Sequence, residues 1–323
     1  MKASVQHEYG PPEGVFALED VPLPAIKDDE VLVRVASAGV NWADCSMATG
    51  KPHVMRLGYG LRRPRKGLRG TDVAGTVEAV GAKVTQFQPG DEVFGWGRGT
   101  FAEYVATKGD RLVPKPNGIT FGQAAGITLA GCVALQALRD VAKVKAGDKV
   151  LVVGASGGIG SFMVQIAKAL GAEVTGVAST SNLERVRSIG AGHVIDYTKE
   201  DFTEGDERYD LIFDIADKHT LAERRRVLTR KGTLIPNSGE GGPWLGSMGR
   251  IIKARLLSPF VSQRLKPFLS LAKRKDMVLL SEMIEDGDLT PVVGATYPIA
   301  DAGAAIAHAG SGHARGKVVV TVS

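Results

Sequence analysis

The chain has 323 residues, 44% hydrophobic and 23% charged, proportions that exclude whole-chain disorder, collagen and coiled coil. The length suits two domains rather than one or three. Net charge is +5, from 40 basic and 35 acidic residues, so neither a strongly acidic nor a uniformly basic protein is in view.

In chain order, the N-terminal MKASVQHEYG has no apolar core of the kind a signal peptide needs. The first third then reads as short strands separated by glycine and proline turns: VLVRVASAGV (31–40), VAGTVEAV (73–80), DEVFG (91–95) and FAEYVAT (101–107). That pattern predicts a small barrel-like β domain. Between the first two strands, residues 51–69 carry seven basic residues and no acidic one: Lys51, Arg56, Arg62, Arg63, Arg65, Lys66 and Arg69. The remainder of the chain holds 33 basic against 35 acidic residues, so the basic character belongs to this segment. It is either a solvated loop or a local attractor for an anionic cofactor or substrate, and nucleic acid is disfavoured as a general partner.

PKPNG (114–118) reads as a linker. Residues 116–138 are uncharged, but Asn117, Gln123, Gln136 and four glycines interrupt them, which predicts buried helices rather than a membrane span. From Val150 the rhythm changes to strands alternating with helices. VLVV (150–153), EVTGVA (173–178), HVIDY (193–197), YDLIFDIA (209–216) and GTLIPNS (232–238) are strands. Ile159, Phe162, Met163, Ile166, Ala167 and Leu170 form the apolar stripe of a helix, and further helices fall near 181–189, 220–229, 244–257 and 273–286. This is the alternation of a doubly wound parallel sheet. KVVVTV (317–322) reads as a strand that returns to the first domain.

The first strand and first helix of that sheet are joined by Gly154-Ala-Ser156-Gly157-Gly158-Ile159-Gly160. Glycines let backbone approach a diphosphate closely, and the helix beyond them offers unpaired N–H groups and the positive end of its dipole. The next strand ends in Ala178-Ser179-Thr180-Ser181-Asn182, with no carboxylate to bond a ribose 2′-hydroxyl or repel a 2′-phosphate. Three hydroxyls and Arg185 one turn further on predict NADPH, with NADH as the less favoured cofactor. Tyr197 ends the third strand beside the same pocket, as a phosphate contact or as a cap to the sheet.

AGVNWAD (38–44), GTDVAGTVEAVG (70–81), PGDEVFG (89–95), GTFAEYV (99–105), GASGGIG (154–160), GAGHVIDY (190–197) and GKVVV (316–320) together resemble the medium-chain dehydrogenase/reductase superfamily, in its zinc-free quinone oxidoreductase (zeta-crystallin-like) branch. The resemblance runs over essentially the whole chain. It implies an α/β protein with a GroES-like β-barrel catalytic domain at 1–118, a Rossmann NADP-binding domain at 119–270, and a return to the catalytic domain at 271–323, the active site lying in the cleft between them. It places Ser156, Gly158 and Ile159 on the cofactor and Ser179 and Tyr197 at its adenosine phosphate. GHARGK (312–317) resembles a segment that returns to the cofactor, which adds His313, Ala314 and Arg315. Relatives often carry Arg where this chain has Ser181, and that departure leaves mixed NADPH and NADH use open. The resemblance also implies a homodimer formed through the edge of the nucleotide sheet near 260–269.

Zinc-dependent relatives carry metal ligands where this chain has Asn41 and Thr71-Asp72. Asn and Thr are poor zinc ligands, and Cys45, Cys132 and the six histidines show no ligand spacing, so no metal is expected. Without a Lewis acid, quinones and activated α,β-unsaturated carbonyls are the better hydride acceptors. Asn41 is the expected hydrogen-bond donor to a substrate oxygen or to the nicotinamide edge. Asp44 is expected to brace the turn, because a free carboxylate is ionised and no acid at neutral pH. Trp42, Tyr59, Trp96 and Trp244 are candidate pocket walls or core residues. Two other functions fit the same fold: an enoyl-thioester reductase, whose phosphorylated carrier the basic loop would meet, and an NADPH-binding regulatory or RNA-associated protein. The two cysteines read as free thiols in a reducing cytoplasm.

Overall fold

The computed structural model describes residues 1–65, 67–216, 219–237, 244 and 261–322. It divides into two compact units, one built from residues 1–132, 271–287 and 291–323, the other from 133–270 and 288–290. Apart from Trp244, the expected helix at 244–257 lies outside the described residues.

The first unit is β-rich. A two-stranded antiparallel sheet pairs β1 (Lys2–Gln6) with β2 (Phe16–Asp20). The larger sheet is built on β3 (Glu30–Val40), which pairs antiparallel with β4 (Asp72–Val80) and with β6 (Tyr104–Lys108). Beyond β4 lie β5 (Glu92–Trp96) and β7 (Leu112–Pro114). Alternation in β3 buries Val31, Val33 and Val35 completely or nearly so, and they pack with Phe101, Leu112, Ile306 and Val318 in one core. The FAEYVAT strand begins only at Tyr104, because Phe101 and Ala102 are drawn into the interior instead.

The second unit carries β8 (Lys149–Val153), β9 (Glu173–Ala178), β10 (His193–Asp196), β11 (Tyr209–Asp214), β12 (Leu228–Pro236) and β13 (Arg264–Leu265). They form one parallel sheet in the spatial order β10-β9-β8-β11-β12-β13, the doubly wound order with its switch point at β8 and β11. The helix Gly158–Ala169 packs Phe162, Met163 and Ile166 fully out of solvent, as its stripe predicts. Gln165, on the same helix, donates from Nε2 to the Thr290 carbonyl and accepts the Thr290 N–H at 2.8 Å, which ties residues 288–290 to this unit.

The chain re-enters the first unit with the helix Arg274–Glu285, then β14 (Val293–Pro298) and β15 (Lys317–Thr321). β15 pairs antiparallel with β3, Val318 opposite Val40 and Val320 opposite Ala38. That register places Lys317 at the end of β3, where Asn41 follows. No helix among the described residues is long and apolar enough to cross a membrane.

Candidate functional site

In the second unit, Gly154 has φ +84°, a conformation that glycine adopts without strain, and turns the chain sharply out of β8. The Gly154 and Ala155 N–H groups both donate to the Val177 carbonyl at 3.1 Å, which anchors the turn to β9. Gly157 caps the following helix without a side chain. A Cβ on Gly160 would stand 2.1 Å from the Gly154 carbonyl oxygen and 2.8 Å from the Ala155 Cα, so helix and turn touch as closely as backbones can. Ser156, Gly157, Gly158 and Ile159 are partly exposed along this turn. A glycine-rich cradle at a helix N-terminus fits a diphosphate.

The ends of β9 and β10 lie side by side. Asp196 pairs with Ala178, and the Tyr197 N–H donates to the Ala178 carbonyl at 3.2 Å, so Tyr197 flanks Ser179. Tyr197 is 44% exposed. Asn182 Nδ2 donates to Ser179 Oγ at 2.9 Å, and Ser181 Oγ lies 3.5 Å from it. The structure revises the count of available hydroxyls. Thr180 Oγ1 donates to Asp196 Oδ2 at 2.5 Å, so it has no proton left to offer a phosphate. Asp196, which the β9 sequence gave no reason to consider, spends its other oxygen on the Thr198 N–H and hydroxyl; these bonds, led by that from Thr180, hold its carboxyl down at about 2. Arg185 lies exposed on the helix Leu183–Ser188.

In the first unit, Asn41 ends β3 and caps the helix Trp42–Thr49; its N–H donates to Asp44 Oδ2 at 2.8 Å. Lys317 Nζ donates to Asn41 Oδ1 at 2.7 Å and to the Val40 carbonyl at 2.9 Å. Asn41 Nδ2 donates to Asp72 Oδ2 at 3.1 Å, and the Leu129 N–H donates to the same oxygen at 3.2 Å. Lys317 Nζ is 3.9 Å from that oxygen. All four side chains, Asn41, Asp44, Asp72 and Lys317, are buried. An ammonium can only donate and a carboxylate can only accept, so the Asn41 amide has one permitted orientation. Its carbonyl faces Lys317, one amide proton goes to Asp72, and the second remains. Burial pushes the Asp72 carboxyl up and the Lys317 ammonium down, while their mutual attraction opposes both shifts.

Asp44 is held above the ordinary carboxylate range. It is fully buried, Oδ1 has no hydrogen-bond partner, and burial pushes its carboxyl up to about 7, against the bond from the Asn41 N–H. In the unfolded chain the group titrates near 3.8. Its folded-state value is raised, so its stabilising contribution is complete below about pH 4 and is lost as pH rises to about 7. Asp44→Asn removes this dependence. The stability difference between variant and native protein will widen in the variant's favour from pH 4 to pH 8, by up to about 4 kcal/mol, measured by urea unfolding at each pH. An unchanged difference would show that Asp44 stays ionised throughout.

His313, Ala314 and Arg315 belong to the first unit, in the loop before β15, whereas the glycine turn belongs to the second. His313 Nδ1 lies 2.8 Å from the Ser311 carbonyl, and Ala314 packs on the barrel core. Trp42 and Tyr59 are exposed in the first unit, Trp96 is half-buried there, and Trp244 is exposed in the second. Lys317 was missed by sequence reasoning as a site residue. Its only signal was a lysine opening an otherwise apolar strand, GKVVV.

Two family models match the chain: the alcohol dehydrogenase GroES-like domain over residues 27–117 and the zinc-binding dehydrogenase over 189–320. The chain is 32% identical to an NADPH-dependent alkenal/one oxidoreductase of Arabidopsis thaliana, covering 99% of this chain and 79% of that protein. The chain belongs to the medium-chain dehydrogenase/reductase superfamily, in its quinone oxidoreductase branch. Within that branch it is 32% identical to a quinone oxidoreductase of Sus scrofa, over 98% of this chain and 95% of the relative. The solved quinone oxidoreductase of Coxiella burnetii superposes with a TM-score of 0.87 at 28% identity, covering 100% of this chain and 99% of that one. The GroES-like and Rossmann architecture expected from the sequence is that of the branch.

Proposed function

We propose that this medium-chain reductase reduces quinones and activated α,β-unsaturated carbonyl compounds with NADPH, without zinc. The observation that carries this reading is the glycine-rich turn Gly154–Gly160 at the switch point of the parallel sheet, with Ser179 and Tyr197 flanking each other at the adjoining strand ends. Arabidopsis and pig relatives named for alkenal/one and quinone reduction support the substrate class.

When bound, the nicotinamide supplies a hydride; the protein supplies position and charge. Ser156, Gly158, Ile159 and Gly160 hold the diphosphate through backbone amides, Gly154 and Gly157, whose own amides close the turn on the Val177 and Gly154 carbonyls, let it approach closely, and Ser179, Tyr197 and Arg185 take the adenosine phosphate. His313, Ala314 and Arg315 complete the cofactor contacts. The remaining Asn41 amide proton meets the charge that develops on a carbonyl oxygen. Lys317 and Asp72 keep that proton pointed correctly by fixing both ends of the amide. Asn41 and Asp72, at positions that hold metal ligands in zinc-dependent relatives, instead neighbour a cation of the chain itself, the Lys317 ammonium 2.7 Å from Asn41. Asp44 braces the cap, and water supplies the final proton. We also infer a cytoplasmic homodimer. The β13 edge of the nucleotide sheet, and two cysteines that form no disulfide, support it.

The test is NADPH oxidation across quinones, enones and saturated ketones, with and without chelator. Turnover of the first two classes, none of the third and no effect of chelator is the expected result; chelator-sensitive turnover overturns the zinc-free reading. A second expectation concerns the cofactor. Ser179→Asp puts a carboxylate where the 2′-phosphate is read, and the KM for NADPH will rise about tenfold or more while that for NADH holds or falls. Equal changes for both would remove Ser179 from the phosphate site.

A further inference from the structure

Apolar side chains frame the polar network at Asn41, and the register of the barrel sheet fixes which ones. Trp96 ends β5 directly opposite Asp72 on β4. The Gly97 N–H donates to the Thr71 carbonyl at 2.9 Å, so the Asp72–Trp96 pair falls between ladder hydrogen bonds. In such a pair the Cα atoms are about 4.5 Å apart and the side chains lie close together on one face of the sheet. The indole therefore stands beside the carboxylate that holds the Asn41 amide. It is only half-buried there. Its backbone is pinned: the Trp96 carbonyl accepts from Thr107 Oγ1 at 2.8 Å, and a Cβ on the preceding Gly95 would stand 2.0 Å from the Arg111 carbonyl oxygen. An aromatic ring on a fixed strand end loses little freedom when a ligand covers it.

Two further side chains complete the frame. Thr128 Oγ1 donates to the Gly95 carbonyl at 3.1 Å, and the Leu129 N–H donates to Asp72 Oδ2 at 3.2 Å. These bonds bring Leu129, partly exposed, alongside the same carboxylate and the same strand end. Trp42 follows Asn41 as the first residue of the helix Trp42–Thr49 and is 41% exposed. Cα–Cβ bonds in a helix tilt toward its N-terminus, which leans the Trp42 indole back over the Asn41 cap. Large apolar side chains left in contact with water around a buried polar network are the walls of a binding site rather than of a core. The second amide proton of Asn41 is thus a single donor set among two indoles and a leucine.

We propose that Trp96 and Trp42 set the acceptor preference of the reductase, stacking on flat fused-ring quinones of the 1,4-naphthoquinone type and placing these ahead of single-ring quinones and acyclic enones. The substrate class rests on the quinone and enone reading above. One quinone oxygen takes the Asn41 proton. The ring bearing it passes Asp72, and the fused ring extends onto the Trp96 indole, one cross-strand spacing further on. Trp42 covers the ring from the side of the cap, and Leu129 closes the edge. Offset stacking of flat rings adds attraction beyond the area it covers. An acyclic enone reaches the same amide but offers neither indole a face.

Two measurements test this. The acceptors are 2,3-dimethyl-1,4-naphthoquinone, duroquinone and 3-penten-2-one; the two quinones have no free quinone-ring position at which a thiol can add. In steady state with NADPH, the native protein will show a higher kcat/KM for the naphthoquinone than for duroquinone. Trp96→Ala will lower the ratio of kcat/KM for the naphthoquinone to that for pentenone about tenfold or more, and Trp96→Phe will restore most of it. Trp42→Ala, which truncates an exposed side chain and so answers even where Trp96→Ala fails to fold, will lower the same ratio about threefold or more. Equilibrium dialysis of the naphthoquinone against protein saturated with NADP⁺ will show weaker binding in both alanine variants by similar factors. Dialysis does not depend on turnover, so a native protein that binds the quinone through its indoles and reduces nothing sinks the reductase reading and not the cleft. A protein that reduces quinones with an unchanged ratio in Trp42→Ala and Trp96→Phe, and prefers duroquinone, overturns the proposal and not the reductase reading. Equal losses for naphthoquinone and pentenone in the alanine variants also overturn it, and make the indoles structural.

Discussion

Lys317→Met will cost both stability and rate, and the two losses will separate in a second variant. Lys317 and Asp72 are 5% and 2% exposed at their side chains, and removing the ammonium leaves the Asp72 carboxylate buried with neutral donors only. Breaking a buried pair from one side costs about 3 kcal/mol, equivalent to a fall in Tm of roughly 6–12 °C for a unit of this size. The Asn41 amide also loses the partner that fixes its carbonyl end, so kcat/KM for quinones will fall by about 10–100-fold. Adding Asp72→Asn to Lys317→Met removes the stranded charge while keeping an acceptor for the Leu129 N–H and Asn41 Nδ2. Most of the lost Tm should return, and the lost rate should not. A single variant with native Tm and native kcat/KM would show that the network neither holds the fold nor aims the amide. Return of the rate together with the Tm would make Lys317 a purely structural residue.

The reason this network was not legible beforehand is chain distance. Lys317 and Asn41 are separated by 276 positions, and only the antiparallel register of β15 on β3 brings them together. A lysine beside an apolar strand reads locally as a solvated end. Arg69 misled in the same way: it counts as one more charge of a basic loop, yet the chain turns inward at Gly70 and buries it. β1 and β2 were hidden because MKASVQ and FALED are short and half polar, and they are joined through the short helix Pro12–Val15 rather than by a two-residue hairpin turn. The nucleotide sheet, by contrast, was readable almost strand by strand. Buried parallel strands must be continuous apolar runs, and the amphipathic helices between them have the 3.6-residue period, so each element announces itself within its own ten residues. The glycine turn was readable for the same local reason, while Asp196 at its side was not, because its bond to Thr180 crosses from one strand to the next.

The glycine turn supports the second large expectation, a contrast between two positions three residues apart. At Gly160 an added Cβ meets the Gly154 carbonyl oxygen at 2.1 Å and the Ala155 Cα at 2.8 Å, both backbone atoms of a turn whose Gly154 and Ala155 amides are tied to Val177. Neither can retreat without releasing the turn from β9. Gly160→Ala will therefore cost about 3 kcal/mol through overpacking that side-chain rotation cannot relieve, and will remove measurable NADPH binding with it. At Gly157 the added Cβ stands 3.3 Å from the Gly154 carbonyl oxygen and 3.9 Å from Ile215, with φ at −81°, so the fold accepts it with a shift of a few tenths of an ångström. Gly157→Ala will keep its Tm within a few degrees, yet it puts a methyl group where the diphosphate is cradled. NADPH affinity, read by nicotinamide fluorescence, will fall about tenfold or more. The pair thus distinguishes a glycine needed for helix packing from one needed for ligand approach. If Gly157→Ala binds NADPH as tightly as the native protein, the diphosphate does not lie against this turn, and the hydride source proposed for the enzyme loses its structural support.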